Sequence, residues 1–178
     1  PEVCKHLADF GAELFISING SPYEIDKDTL RIDGVAKRRA AATGLPLAYL
    51  NRVGGQDELV FDGASFVVNG DGSLAVQLQD WVEQEVTTRW TKTVKGWRCD
   101  RGEVAQLAGH PEDIYCAMVI ALRDYVDRNR FPGVVLGLSE SYYYRTDFRG
   151  WAFQVTADGR SIPIASGIRS AGGVAPNE

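Results

Sequence analysis

Apolar positions along this chain alternate between two rhythms. Residues 1 to 12 put Val3, Leu7 and Phe10 on one helical stripe, and Gly11 is placed to stop the helix. Leu14-Phe15-Ile16-Ser17-Ile18 is a short, unbroken, β-rich run, the pattern of a buried strand. Asn19-Gly20-Ser21-Pro22 is turn chemistry. From Asp28 a helical period returns, with Ile32, Val35, Ala36 and Ala40 on one face. Lys37, Arg38 and Arg39 suit the negative end of that helix, and Gly44 closes it. Leu45 to Val53 reads as the next strand, so the order is strand, helix, strand.

The pattern then changes to short strands. Residues 54 to 58 read as a polar loop with two glycines. Phe66 to Val68 and Leu74 to Trp81 flank Asn69-Gly70-Asp71-Gly72, a hairpin signal. A βαβ unit feeding an antiparallel pair predicts an α/β fold with a mixed sheet covered by helices. Residues 82 to 109 lose the period and read as a connector with one exposed strand. A strong helix follows, in which Ile114, Ala117, Met118, Ala121, Leu122, Tyr125 and Val126 share one apolar face. Pro111 opens it and Phe131-Pro132-Gly133 ends it. Val134 to Ser139 is another buried strand. The tail predicts one hairpin, from Trp151 to Val155 and Ser161 to Ile164, and Ser170 to Glu178 has a disordered composition.

Composition narrows the possible functions. The 178 residues carry 19 basic and 24 acidic side chains, a formal net charge of −5. That balance argues against broad binding to nucleic acid or to anionic membranes. No apolar run reaches the roughly 20 residues of a membrane span, and no signal peptide opens the chain. Three cysteines at irregular spacing form no disulfide framework, so a reduced, cytoplasmic setting is expected. The two histidines, His6 and His110, give no zinc-ligand spacing, and no metal site is expected. The chain opens at Pro1 and its only methionine is Met118, which points to a processed, trimmed or partial product.

Candidate chemistry is sparse. Cys4 is the first suspect for a thiolate nucleophile, but His6 two positions on points to another helix face. The plainer reading makes Cys4 a small buried apolar residue. Ser21 and Lys27 follow a core strand, where open α/β sheets collect ligands; they could hold a carboxylate or amide, or be a turn serine and a solvated lysine. Asp57 and Glu58 are adjacent, and on extended backbone they point apart, which favours capping or solvation over an acid–base pair. Ser139 ends a strand as a phosphate-cradling loop requires, yet Glu140, Ser141 and Tyr142 follow in place of glycines. The residues by themselves form no complete catalytic constellation.

Longer runs carry a resemblance. Gly11-Ala12-Glu13-Leu14, Asn19 to Glu24 with Lys27, Thr43-Gly44-Leu45-Pro46, and above all Tyr49 to Phe66 resemble the glutaminase domain of glutamine-dependent NAD(+) synthetases. Glu112 to Tyr115, Ala117 to Val119 and Leu122 to Val126 resemble the helix opening the synthetase domain of the same family, and Gly133 to Ser139 its strand into the ATP-pyrophosphatase loop. The resemblance implies a partial αββα nitrilase-like (carbon–nitrogen hydrolase) sandwich with a mixed sheet over 1–97 and a linker over 98–110. The opening helix and strand of an ATP-pyrophosphatase-type α/β domain would occupy 111–139, and 140–178 is an unmatched tail. It further implies Ser21 and Lys27 as glutamine-binding residues and Ser139 as the first serine of an incomplete nucleotide loop. ATP, magnesium and deamido-NAD belong to the parent family. A homo-oligomer, or association with the remaining synthetase segments, is expected.

Two departures qualify the resemblance. The family's Glu–Lys–Cys triad matches no position in this chain, since Cys4 falls after the nucleophile; hence no catalytic residue is assigned, and a chain inactive alone is expected. Glu140 replaces a loop glycine and nothing beyond it matches, which points to a truncated, rearranged or frame-shifted copy.

Overall fold

A computed structural model describes residues 2–94, 96–137, 152–156 and 161–163. Contacts divide the chain into two units, Pro1–Ala121 and Leu122–Glu178.

The first unit is built on a four-stranded mixed sheet of order β1-β2-β5-β6. β1 (Phe15–Asn19) pairs parallel with β2 (Leu47–Asn51), and β5 (Phe66–Val68) and β6 (Leu74–Gln77) continue it antiparallel. A helical crossover joins β1 to β2, as parallel pairing demands. It runs through α2 (Lys27–Thr29), a π-helical stretch Leu30–Ala36, and α3 (Lys37–Thr43). Gly44 ends it with φ 71°, the left-handed cap expected of glycine there. Ala36 and Ala40 are fully buried against Phe15, Leu47 and Val68, and the rings of Tyr49 and Phe66 stack at 4.9 Å.

The N-terminal helix turns the other way from its apolar stripe. In α1 (Glu2–Asp9) Val3 and Leu7 are exposed, as is Phe10 just beyond it. Cys4, Ala8 and Ala12 face the core instead, because small side chains let the chain approach Ala36 and Ala40 closely. Cys4 is thereby a packing residue beside an exposed His6.

The far face of the sheet is covered unevenly. Register aligns Ile16, Ala48, Val67 and Val76 in one row across four strands. A hairpin of β7 (Trp90–Thr93) and β8 (Gly96–Cys99) covers the Val67–Val76 end with Trp90 and Cys99. Buried Asn69 ties it down: Cys99 N–H donates to Oδ1 at 2.8 Å, and Nδ2 donates to the Cys99 carbonyl at 3.1 Å. The other end stays open, with Ile18 83% exposed and Ile16 66%.

Two elements depart from the sequence pattern. The glycines of residues 54–58 belong to a hairpin, β3 (Val53–Gln56) with β4 (Leu59–Asp62), not to a loop; Asp57 makes its turn at φ 52°. Gly55 allows a close approach there, since a Cβ would sit 3.0 Å from Ala121 Cα. On α4 (Glu112–Asn129) the buried face is only partly the predicted one, Val126 being buried as expected. Asp113, Ala117 and Ile120 are buried, whereas Met118 and Tyr125 are exposed. The connector likewise holds the two strands β7 and β8 where one was expected.

In the second unit β9 (Gly133–Gly137) pairs antiparallel with β10 (Ala152–Thr156), which pairs with β11 (Ser161–Pro163). The tail hairpin matches the sequence expectation, and Ser139 and residues 170–178 lie outside the described residues. Among the described residues no helix is long and apolar enough to cross a membrane.

The tightest backbone approach gives a test of the packing. A Cβ on Gly70 would lie 2.0 Å from the Gly44 carbonyl oxygen. Gly70→Ala is expected to lower unfolding free energy by about 1–3 kcal/mol in a urea titration, the usual range for overpacking.

Candidate functional site

The C-terminal ends of β1, β2 and β4 converge on one buried charge. Arg31, on the π-helical stretch, donates from Nη1 to Asp62 Oδ2 at 2.6 Å, and both side chains are nearly inaccessible. Arg31 Nη2 donates to the carbonyls of Ser21 (2.9 Å) and Pro22 (3.0 Å), and its Nε donates to Ser21 Oγ at 3.2 Å. Asn51 completes the network. Its Oδ1 accepts the Ser21 N–H at 2.8 Å, and its Nδ2 donates to the Ser21 carbonyl at 3.0 Å and to Asp62 Oδ1 at 3.2 Å. Such multiple pairing is what lets a guanidinium sit in the interior. The loop after β1 is therefore fixed at Ser21 from three directions. Its hydroxyl accepts from Arg31, and among the described residues no acceptor takes the hydroxyl proton.

Lys27 begins α2 and is largely buried along its stem. Its ammonium pairs with Glu24, which is mostly exposed. One of three N–H donors is thus engaged locally. A hydroxyl donor and an ammonium seven residues or fewer apart on one loop are groups that could grip a carboxylate. Two cavities of about 380 Å3 each lie nearby in the first unit. One is lined by Asn51, Arg52, Ser65, Gln79 and Glu83, the other by Gln79, Asp80, Gln106 and Glu112; neither wall includes Ser21 or Lys27.

A second polar group holds the same loop from its other side. The Tyr23 hydroxyl donates to Asp113 Oδ2 at 2.6 Å, and Asp113 Oδ1 lies 2.7 Å from His110 Nδ1. Burial and then the Asp113 carboxylate push the Tyr23 phenol well above its ordinary range. Burial works to raise Asp113, but the hydrogen bonds from Tyr23, His110 and the Ile114 N–H outweigh it and hold the carboxyl below its ordinary value. The bond to Asp113 raises His110 above 6.5.

The adjacent carboxylates Asp57 and Glu58 form no acid–base pair among the described residues. Both are exposed at the tip of the β3–β4 hairpin, without a shared partner among the described residues. Among the described residues no three His, Cys, Asp or Glu side chains converge as a metal site. The residues that the sequence reading passed over are Arg31, Asp62 and Asn51. Their only signal was polar side chains placed where β2, β4 and the crossover should be buried. Asp62→Ala would leave Arg31 charged and unpaired inside the protein. It is expected to cost about 3–5 kcal/mol, read as a lower urea midpoint, whereas Asp57→Ala stays near wild type.

Comparison with known proteins agrees with this architecture. The carbon-nitrogen hydrolase family model matches residues 1–98. The glutamine-dependent NAD(+) synthetase of Rhodobacter capsulatus is 48% identical over 139 residues, covering 78% of this chain and 25% of that protein. That of Acinetobacter baylyi is 36% identical over 76% of this chain and 24% of its own length. The solved glutamine-dependent NAD+ synthetase of Acinetobacter baumannii, in complex with ADP, superposes with a TM-score of 0.68 at 34% identity, covering 75% of this chain and 25% of that one. The chain thus spans about a quarter of the length of these relatives. With more than half of its residues inside that family model, and with a mixed sheet and helical crossover to match, the chain belongs to the carbon-nitrogen hydrolase family.

Proposed function

We propose that this chain is a portion of a glutamine-dependent NAD(+) synthetase. Residues 1–97 are the later half of its glutamine-hydrolysing domain, 98–110 the linker and 111–139 the opening of its ATP-dependent ligase domain. The whole enzyme, a cytoplasmic ligase, would release ammonia from glutamine and use it to amidate deamido-NAD. In this reading the chain supplies glutamine-binding groups and no nucleophile. Ser21 offers its hydroxyl and Lys27 its ammonium to the substrate carboxylate, and the Arg31–Asp62–Asn51 network holds Ser21 in place. The observation that carries it is the fixed Ser21 with its spare proton on the loop that leads into Lys27 at the start of α2, in a sequence 48% identical to such a synthetase.

ATP and magnesium belong to the parent family. Glu140, an acid where a phosphate loop needs glycine, does not fit an anionic ligand, so no step through either is assigned to Ser139. Glutamine binding is the direct test. A calorimetric titration of the isolated chain with L-glutamine should give saturable binding, weakened about tenfold or more in Lys27→Ala, since a charge-assisted hydrogen bond contributes about 1.5–3 kcal/mol. Ammonia release should stay at the level of an albumin control. Equal affinity in Lys27→Ala removes Lys27 from the site.

A second reading rests on the open apolar sheet face at Ile16 and Ile18. There the chain is a non-catalytic module that associates with an intact synthetase subunit, because exposed patches of this kind drive association. Co-elution with an intact homologous synthetase in size-exclusion chromatography is expected. Separate elution as a well-behaved monomer rejects it.

A further inference from the structure

The segment from Ser21 to Lys27 is clamped to the first turn of α4 by side chains distant in sequence. Tyr23 and Asp113 are ninety positions apart and meet at 2.6 Å. Asp113 is 6% exposed, although it lies on the first turn of a helix, where a carboxylate can normally remain in water. Its burial is offset by three donors: the Tyr23 phenol, the His110 ring and the Ile114 N–H at 2.8 Å. On the other side of the imidazole, Nε2 lies 3.5 Å from Asp26 Oδ1. Tyr23 is also held by its backbone N–H, which donates to the Val60 carbonyl at 2.7 Å, and by the edge of its ring against Trp81 at 5.0 Å. Both Tyr23 and Asp26 fall between Ser21 and Lys27, so the clamp grips the stretch that separates the two proposed glutamine ligands.

We infer that Tyr23 is a positioning residue that, through Asp113 and His110, sets the spacing of Ser21 and Lys27 against the start of α4. This rests on the glutamine reading for its functional meaning, while the clamp itself is a property of the fold. The imidazole makes it pH-sensitive. A neutral ring has one N–H and can donate to Asp113 or to Asp26, whereas the protonated ring donates to both. The groups facing the imidazole are Asp113 from α4 and Asp26 from the loop, both acidic, which favours the imidazolium, while Asp62 from β4 bears on Tyr23. A histidine raised above 6.5 contributes its full stabilisation below that value, and the contribution is lost as pH rises through the higher folded value. The loop is therefore tightest on the acidic side of neutrality and loosens above it.

Amide hydrogen exchange on the full 178-residue chain separates this from a generic packing role. Protection factors for residues 20–27 should fall between about pH 6 and about pH 8, while those of β2 stay constant. Tyr23→Phe deletes one oxygen and keeps the ring against Trp81; it should lower protection of 20–27 about tenfold with β2 unchanged, as loss of one hydrogen bond to a charged group predicts. His110→Gln keeps a donor toward Asp113 and should flatten the pH profile. Asp113→Asn decides in the same way should Tyr23→Phe also loosen β2. Unchanged protection of 20–27 in these variants, or a wild-type profile as flat as that of His110→Gln, overturns the inference. Glutamine affinity, measured in parallel, should weaken about tenfold in Tyr23→Phe. A wild-type chain that fails to bind glutamine refutes the glutamine reading alone, because the exchange result still decides the clamp.

Discussion

The buried ion pair of Arg31 and Asp62 is the constraint around which the first unit is organised. Taking a guanidinium and a carboxylate out of water is costly, and their mutual attraction offsets that cost only when every remaining donor and acceptor is matched. Here the matching groups come from separate stretches of chain: Ser21 and Pro22 after β1, Asn51 at the end of β2, Asp62 at the end of β4. The pair can therefore be satisfied only when crossover, sheet and hairpin are all in register. Its energetic return is small compared with that of the apolar core, but it selects one arrangement of the strand ends. The same hydrogen bonds that satisfy Arg31 immobilise the loop carrying Ser21.

A π-helical stretch bearing Arg31 fits this account. The wider turn of Leu30–Ala36 sits where a buried cation must reach three backbone segments at once, and π-turns inside helices commonly accompany functional geometry. Ala36 and Ala40 then resume close packing on the sheet. Helix geometry, core packing and loop placement are thus joined through a single side chain.

Much of the fold was legible because it follows from period. The βαβ order, the β5–β6 pair, the cap at Gly44 and the extent of α4 came from hydrophobic spacing and turn residues alone. What escaped was decided by tertiary partners. Val53-Gly54-Gly55-Gln56 has the composition of a loop, and it is a strand because it pairs with Leu59–Asp62, with Gly55 leaving room for Ala121. The face of α4 was placed only in part, with Ala117 and Val126 buried and Met118 and Tyr125 exposed, and Asp113, polar by type, is drawn inward by Tyr23 and His110. In α1 the large residues looked like the packing stripe, yet close approach selected Cys4 and Ala8. Ser21 and Lys27 were singled out by their place after a strand, and their role as glutamine ligands is the proposal made above. Arg31 and Asp62 were invisible as a pair, since buried charges look like surface charges until their partners are known.

The sheet begins at β1, whose outer edge has no neighbouring strand among the described residues and whose far face presents Ile16 and Ile18. Unpaired amides and carbonyls beside bare isoleucines form a template onto which any extended polypeptide can add. Expressed by itself, the chain would have to reach its folded form in competition with strand-to-strand self-templating. Dilution, low temperature and early encounter with a chaperone would then govern how much native material is recovered, more than the intrinsic stability of its core.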